Sequence, residues 1–138
     1  MQIREVHTRD SFIEAQLDTV SFTARSLLPL IGADLWFTGQ AAPEGTPERQ
    51  REIALDLLSS WNGEMNEHLP EPLLYTAWLR ALMDRLIRDE LGPLADEFTH
   101  PDPVFIAREF RDVDGAADWC DIRLSTDQES CVEIARLA

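Results

Sequence analysis

Residues 72–93, "PLLYTAWLRALMDRLIRDELGP", return apolar side chains every three or four positions and never alternate them. That period belongs to a helix and excludes a half-buried strand, in which side chains point to opposite faces in turn. Leu74, Ala77, Trp78, Ala81, Leu82, Arg85 and Leu86 carry the repeat. The helix is expected to begin near Pro72 and to stop at Gly92-Pro93, which cannot continue it.

The same period recurs along the chain, with almost no strand signal. After Thr8, an N-cap residue, Phe12, Leu17, Val20, Ala24, Leu27 and Ile31 predict one helix, kinked or ended by Pro29 and Gly32. "FTGQAAPEGTPERQ" reads as a loop. Thr46-Pro47-Glu48 is a helix start made of a capping hydroxyl, a proline at the first position and an acid against the helix dipole. Ile53, Leu57, Leu58 and Trp61 supply that helix's stripe, and Gly63 its stop. A short helix is expected over Pro93 to Phe98, and another from Asp102-Pro103 through Val104, Phe105, Ala107 and Phe110. "RDVDGAADWCD" reads as a polar loop. Thr126 and Glu129 have the spacing of a capping box and predict a last helix bearing Cys131, Ile134 and Leu137 on one face. "QIREVHT" suggests a short extended lead-in without a pairing partner. The expectation is an all-α fold, one compact domain of about six helices over residues 1–138, with both ends trimmed from something longer.

Charge narrows the function. Twenty-six acidic residues against twelve Lys and Arg leave a net charge of −14. Such a surface repels phosphate backbones and anionic lipid, so no nucleic-acid or membrane partner is expected. The most apolar run, "LLPLIGA", is too short to span a bilayer. The amino terminus has charges where a signal peptide needs an apolar core. With 44% hydrophobic residues over 138 positions, a sizeable core is expected.

The chemistry-bearing residues do not assemble into a motif. There is no G-x-S-x-G, and a serine triad needs a histidine base. His7 lies in the lead-in, and His68 and His100 stand beside prolines in loops. Cys120 has Asp118 and Asp121 beside it, which raise a thiol's pKa and disfavour a thiolate nucleophile. Asp112-Val113-Asp114-Gly115 with Asp118 and Asp121 only faintly suggests a calcium loop. Glycine falls at position four, Ala116 at five and Arg123 at twelve, where an EF-hand needs oxygen ligands and a late glycine. Two cysteines without C-x-x-C or paired histidines make a poor zinc site. The carboxylate pairs Asp89-Glu90 and Glu52/Asp56 suit solvent-facing helix surfaces. Trp36, Trp61, Trp78 and Trp119 read as core anchors rather than a sugar platform. No residue is assigned a catalytic, cofactor-binding or metal-ligating role.

Four stretches in this order, "FIEAQLDTVSFTARSLLPLI", "SSWNGEMN", "LLYTAWLRALMDRLIRDELG" and "WCDIRLSTDQESC", resemble the β chain of the penicillin acylase family. These are N-terminal-nucleophile amidohydrolases that include penicillin and acyl-homoserine-lactone acylases. The likeness spans about residues 7 to 138, with Asn62 where the family usually carries Asp. It implies a precursor cut into α and β chains, with a serine at the new β-chain terminus as nucleophile and its own amine as base. It also implies an oxyanion hole of backbone and asparagine donors, and an acyl-enzyme. None of those residues falls on this chain: loss of Met1 would expose Gln2, and the family's calcium ligands also lie elsewhere.

The resemblance therefore implies a non-catalytic helical segment excised from an αββα hydrolase. It would be inactive alone, would partner the remainder of the β chain and the α chain, and would self-associate when isolated. It also implies export to the periplasm or secretion, where paired cysteines become bridges. On that ground Cys120 and Cys131 are expected to form a disulfide; two reduced core thiols are the alternative. A stand-alone acidic helical interaction module accounts for the same absence of chemistry. A small enzyme using Cys120 or a carboxylate pair is the third reading.

Overall fold

The computed structural model describes residues 6, 8–35, 41–98, 100, 102–123 and 126–138. The lead-in apart from Val6 and Thr8, His7 and Trp36 lie outside the described residues. The fold is mainly α. In chain order it has α1 (Arg9–Gln16), α2 (Phe22–Leu35), α3 (Pro47–Ser60), α4 (Glu71–Leu91), a 3-10 segment (Gly92–Glu97), α5 (Pro103–Phe110), a second 3-10 segment (Val113–Cys120) and α6 (Cys131–Leu137). Among the described residues the only sheet-like pairing is an isolated antiparallel bridge, Val20 with Glu64.

Helix α4 is the spine. Its 21 residues span about 30 Å at 1.5 Å per residue. Tyr75, Trp78, Leu79, Leu82, Met83, Leu86 and Ile87 are buried. This stripe is rotated one position from the expected one. Trp78, Leu82 and Leu86 belong to both, but Ala77 is exposed and Leu74, Ala81 and Arg85 are only half-buried. Two apolar stripes flank that shared line, and the larger side chains on the Tyr75–Ile87 side remove more apolar area from water. The Trp78 indole N–H donates to the Ala135 carbonyl at 2.9 Å inside the core, joining α4 to α6. Tyr75 stacks obliquely between Trp61 and Trp78, with centroids 5.4 and 6.2 Å away, and its hydroxyl donates to Thr23 Oγ1 at 3.2 Å.

The helix predicted to run unbroken from Thr8 to the Pro29–Gly32 region is two helices. Between them, Asp18 Oδ1 accepts the Val20 N–H at 3.0 Å. Ser21 donates its N–H to the Gly63 carbonyl at 2.8 Å, and Met65 donates to Thr19 at 3.0 Å. A short acid followed by hydroxyl residues offers the backbone partners that compete with a helix. Gly63 makes the close approach possible: its φ is +87°, and a Cβ there would stand 3.1 Å from Arg25 Cγ. Its role is this contact, since α3 already stops at Ser60. Pro29 and Gly32 do not end α2, which continues to Leu35. Ala24, Leu27, Leu28 and Ile31 are all buried, with α2 packed on α3, α5 and α6. Burial of each aliphatic side chain is worth roughly 1.5–3 kcal/mol, which together exceeds the cost of about 3 kcal/mol for an interior proline.

Local signals set the other starts. Thr46 Oγ1 accepts the Arg49 N–H at 3.2 Å at the head of α3, where Leu58 is buried, Leu57 and Trp61 are half-buried, and Ile53 remains exposed. Asp102 Oδ1 accepts Val104 N–H at 2.8 Å at the head of α5. The region expected as a loop after α5 is the second 3-10 segment, kinked where Asp114 and Gly115 take positive φ. Asp tolerates the left-handed region better than most residues. Trp119 packs edge-on against Phe105 at 5.5 Å, and Cys120 is buried, so the segment is held by its apolar end.

The capping box of α6 sits four residues beyond the expected one. Ser130 Oγ accepts the Glu133 N–H, and Glu133 Oε2 accepts the Ser130 N–H at 2.8 Å. Those bonds hold the Glu133 carboxyl below its ordinary pKa. Glu129 is used otherwise, donating its N–H to Asp121 Oδ1 at 3.2 Å.

Leu82 is fully buried at the middle of the spine. Leu82→Ala is expected to cost about 2–5 kcal/mol in urea denaturation. Leu73→Ala, at a side chain 75% exposed, is expected to change stability by less than about 0.5 kcal/mol.

Candidate functional site

The part of the molecule where polar and covalent chemistry concentrates is the corner formed by α5, the Val113–Cys120 segment and the start of α6. The Cys120 and Cys131 sulfurs are bonded at 2.01 Å, with their Cα atoms 4.9 Å apart. Cys120 is 1% exposed and closes the 3-10 segment, while Cys131 is the first residue of α6. The bridge therefore ties two element ends together directly. A bridged sulfur is not a thiolate, so Cys120 has no nucleophile to offer in this state. Cys131 Sγ also lies 3.7 Å from the Glu109 carbonyl oxygen.

Glu109 is the residue that sequence reading missed. It sits on the inward face of α5 with Ile106 and is 1% exposed. Its Oε2 is buried without a hydrogen-bond partner. Burial pushes its carboxyl up to about 7, against a smaller downward pull from Arg108. A lone acid three residues after Ile106 in "VFIAREF" was the available signal, because that spacing places it on the helix's apolar stripe.

Of the carboxylate pairs expected on solvent-facing surfaces, Asp56 is exposed, whereas Glu52, Asp89 and Glu90 are half-buried and make structural contacts. Asp89 Oδ2 accepts the Arg123 N–H at 2.9 Å, and Glu90 pairs with the Arg123 guanidinium at 2.9 Å. Glu90 is largely covered, with 14% of its side chain exposed. Both Glu52 oxygens accept the Ala42 N–H at 3.1 Å, and Arg49 donates to Glu52 at 3.2 Å, which docks the preceding loop on α3. Asp56 takes no part in this clamp, but its carbonyl accepts the Ser59 hydroxyl. Neither pair forms an acid and base facing a common cavity.

His68 is strongly exposed and lies 3.6 Å from Glu67; His100 is also exposed. Trp61 and Trp78 pack into or against the core, and Trp119 packs beside it. Among the described residues, no group of three or more His, Cys, Asp or Glu side chains could hold a metal ion. The aspartates at 112, 114 and 121 make other contacts. Asp112 Oδ1 accepts the Ala117 N–H at 3.2 Å, and Asp114 meets Arg108 at 3.4 Å. A shallow groove of about 160 Å³ runs between α4 and the Gly92–Glu97 segment over Met83, Ile87 and Ala95. Both of its acids, Asp84 and Asp96, are engaged by Arg88. Among the described residues, no helix is long and apolar enough to cross a membrane.

The geometry thus defines a helical scaffold, cross-linked at one corner. The penicillin amidase family model matches residues 1–138, the whole length given, and the chain belongs to that family. Membership ties it to a penicillin-acylase-like hydrolase as its parent. Neither the curated proteins nor the solved structures contain a match.

Two outcomes test this corner. Glu109 is protonated in the fold up to about pH 7, whereas the free side chain ionises near 4.5. The folded state thus binds the extra proton between those values, and stability should fall as pH rises from 4.5 to 7, then level off. After discounting for residual solvent screening, the loss is on the order of 1–3 kcal/mol. The difference between wild type and Glu109→Gln in urea midpoints across that range is expected to show it, and a pH-independent difference would remove the assignment. Intact mass without reductant should be about 2 Da below the reduced mass, one hydrogen per sulfur. Cys131→Ser should cost about 3 kcal/mol by loop closure over a sequence separation of 11.

Proposed function

We propose that this chain is a non-catalytic helical segment of a penicillin-acylase-like amidohydrolase. The parent hydrolyses an acyl amide, of the penicillin or N-acyl-homoserine-lactone type, with an N-terminal serine as nucleophile. The serine's own amine serves as base, and the acyl-enzyme is released by water. The segment supplies none of these groups. Its role is to pack as scaffold on the remainder of the β chain and on the α chain. One observation carries the reading: the family model runs the full 138 residues over a chain whose two cysteines are bridged and whose described histidines lie at the surface. A bridge closed at a buried sulfur also favours an oxidising compartment, the periplasm or the exterior.

The exposed side chains Phe22, Leu73 and Val104 also suit a stand-alone acidic interaction module. The gene separates the two readings. The segment reading expects coding sequence on both sides, with a serine at a processing junction upstream. A natural reading frame bounded by Met1 and Ala138 would sink it. In a chromogenic assay the purified 138 residues are expected to give no turnover of phenylacetyl or fatty-acyl amides. Turnover abolished by Cys120→Ala would establish the small-enzyme reading instead.

A further inference from the structure

Glu109 occupies a place where a carboxylate is hard to keep. It lies on the inner face of α5 with Ile106, is 1% exposed, and its Oε2 has no hydrogen-bond donor. An acid so placed is stable while it carries its proton, and its loss would leave a bare charge out of water. The same residue borders the bridge through its backbone. Its carbonyl lies 3.7 Å from Cys131 Sγ and accepts the Asp112 N–H at 3.1 Å. Helix α5 packs on α2, on the Val113–Cys120 segment and, more lightly, on α6. The thin side of this cover is the head of α6, where Cys131 is half-buried and Ser130 and Glu133 beside it are exposed.

No charge inside the corner relieves a carboxylate there. Arg108 on α5, Arg111 at its end and Arg25 on α2 are exposed. So are Asp112, Asp114 and Asp118 around the 3-10 segment, and Glu133 and Arg136 on α6. Asp121 and Glu129, in the stretch that the bridge closes, are half-buried, but both are acids. Among the described residues only Arg108 pulls on Glu109, and Arg108 is shared with Asp114. A charge formed at Glu109 is therefore met only by water, which enters where the cover is thinnest. We propose that the Glu109 carboxyl operates a proton-controlled gate over the Cys120–Cys131 bridge. As the neutral acid it keeps the corner between α5, the 3-10 segment and the head of α6 closed. As the carboxylate it opens that corner to water and to reductants. The opening is local: α4 keeps its buried stripe while α6 loosens at its head.

The test is reduction of the bridge by a water-soluble trialkylphosphine in the full natural polypeptide. The phosphine attacks one sulfur and expels the other as thiolate. Water then releases the phosphine oxide and the second thiol, so phosphorus is oxidised as the disulfide takes two electrons. Alkylation and peptide mass spectrometry follow Cys120 and Cys131, and each rate is divided by that of oxidised glutathione at the same pH. Opening releases one proton, so the normalised rate should climb about tenfold per pH unit from roughly pH 5 to 6.5 and level off above about 7. Glu109→Gln should give a rate independent of pH. Should that variant fold poorly, Glu109→Met, which keeps the apolar packing without a titrating group, is expected to give the same flat profile. Amide exchange in the wild type, corrected for its intrinsic pH dependence, should speed up over residues 131–137 in step with reduction. Residues 79–87 should stay at least about tenfold better protected throughout. A flat wild-type rate overturns the gate, as does an equal slope in the variants. Equal protection of 79–87 and 131–137 also overturns it, because the opening would then be unfolding of the whole chain.

Discussion

The hydrogen bond from the Trp78 indole to the Ala135 carbonyl is the contact on which the rest of the assembly turns. It sits where the longest helix meets the last one, and both groups are closed off from water. A buried carbonyl near a helix end needs a donor, and a buried indole needs an acceptor. Their pairing fixes the height of α6 against α4. Once α6 is at that height, Ile134 is fully buried and Cys131 is placed beside Cys120. The Ser130–Glu133 box then closes the helix start that this placement creates. The bridge spans two Cα atoms that this packing holds 4.9 Å apart.

Helix starts were legible wherever a single residue and its neighbour carry the cause. Thr46-Pro47, Asp102-Pro103 and Gly92-Pro93 act within one turn, and the structure uses all three. The rotation of the α4 stripe was not legible. Its two candidate faces share Trp78, Leu82 and Leu86, and only the partners supplied by other helices choose between them. The break at Asp18–Ser21 was hidden for a related reason. Its hydrogen bonds run to Gly63 and Met65, more than forty positions away. The last helix offered two capping boxes in "TDQESCVE", and the second forms, while the Glu129 N–H goes to Asp121 from another segment. Glu109 was invisible as a polar site because it obeys an apolar pattern.

The family resemblance in the sequence came from the order of several weak stretches, with no single motif behind it, and the family model matches the same chain over residues 1–138. Trp61, Trp78 and Gly63 in those stretches make packing contacts, and Cys120 and Cys131 a covalent one. Several acids, among them Glu90, Asp96 and Asp102, pair with arginines or accept backbone amides, and Glu109 is buried. A net charge of −14 thus coexists with specific half-buried carboxylates, Glu52, Asp89 and Asp121, that hold backbone amides of other segments.

The bridge has one more consequence. It joins the two sides of the stretch from Asp121 to Ser130, so a protease that cuts anywhere within that stretch opens a ring and releases no fragment. Both new ends stay on one covalent molecule until the disulfide is reduced. Most of the surface-exposed peptide between the last two helical elements is thereby made tolerant of nicking. In an oxidising environment outside the cell, damage there would leave α6 still attached to the core that holds it.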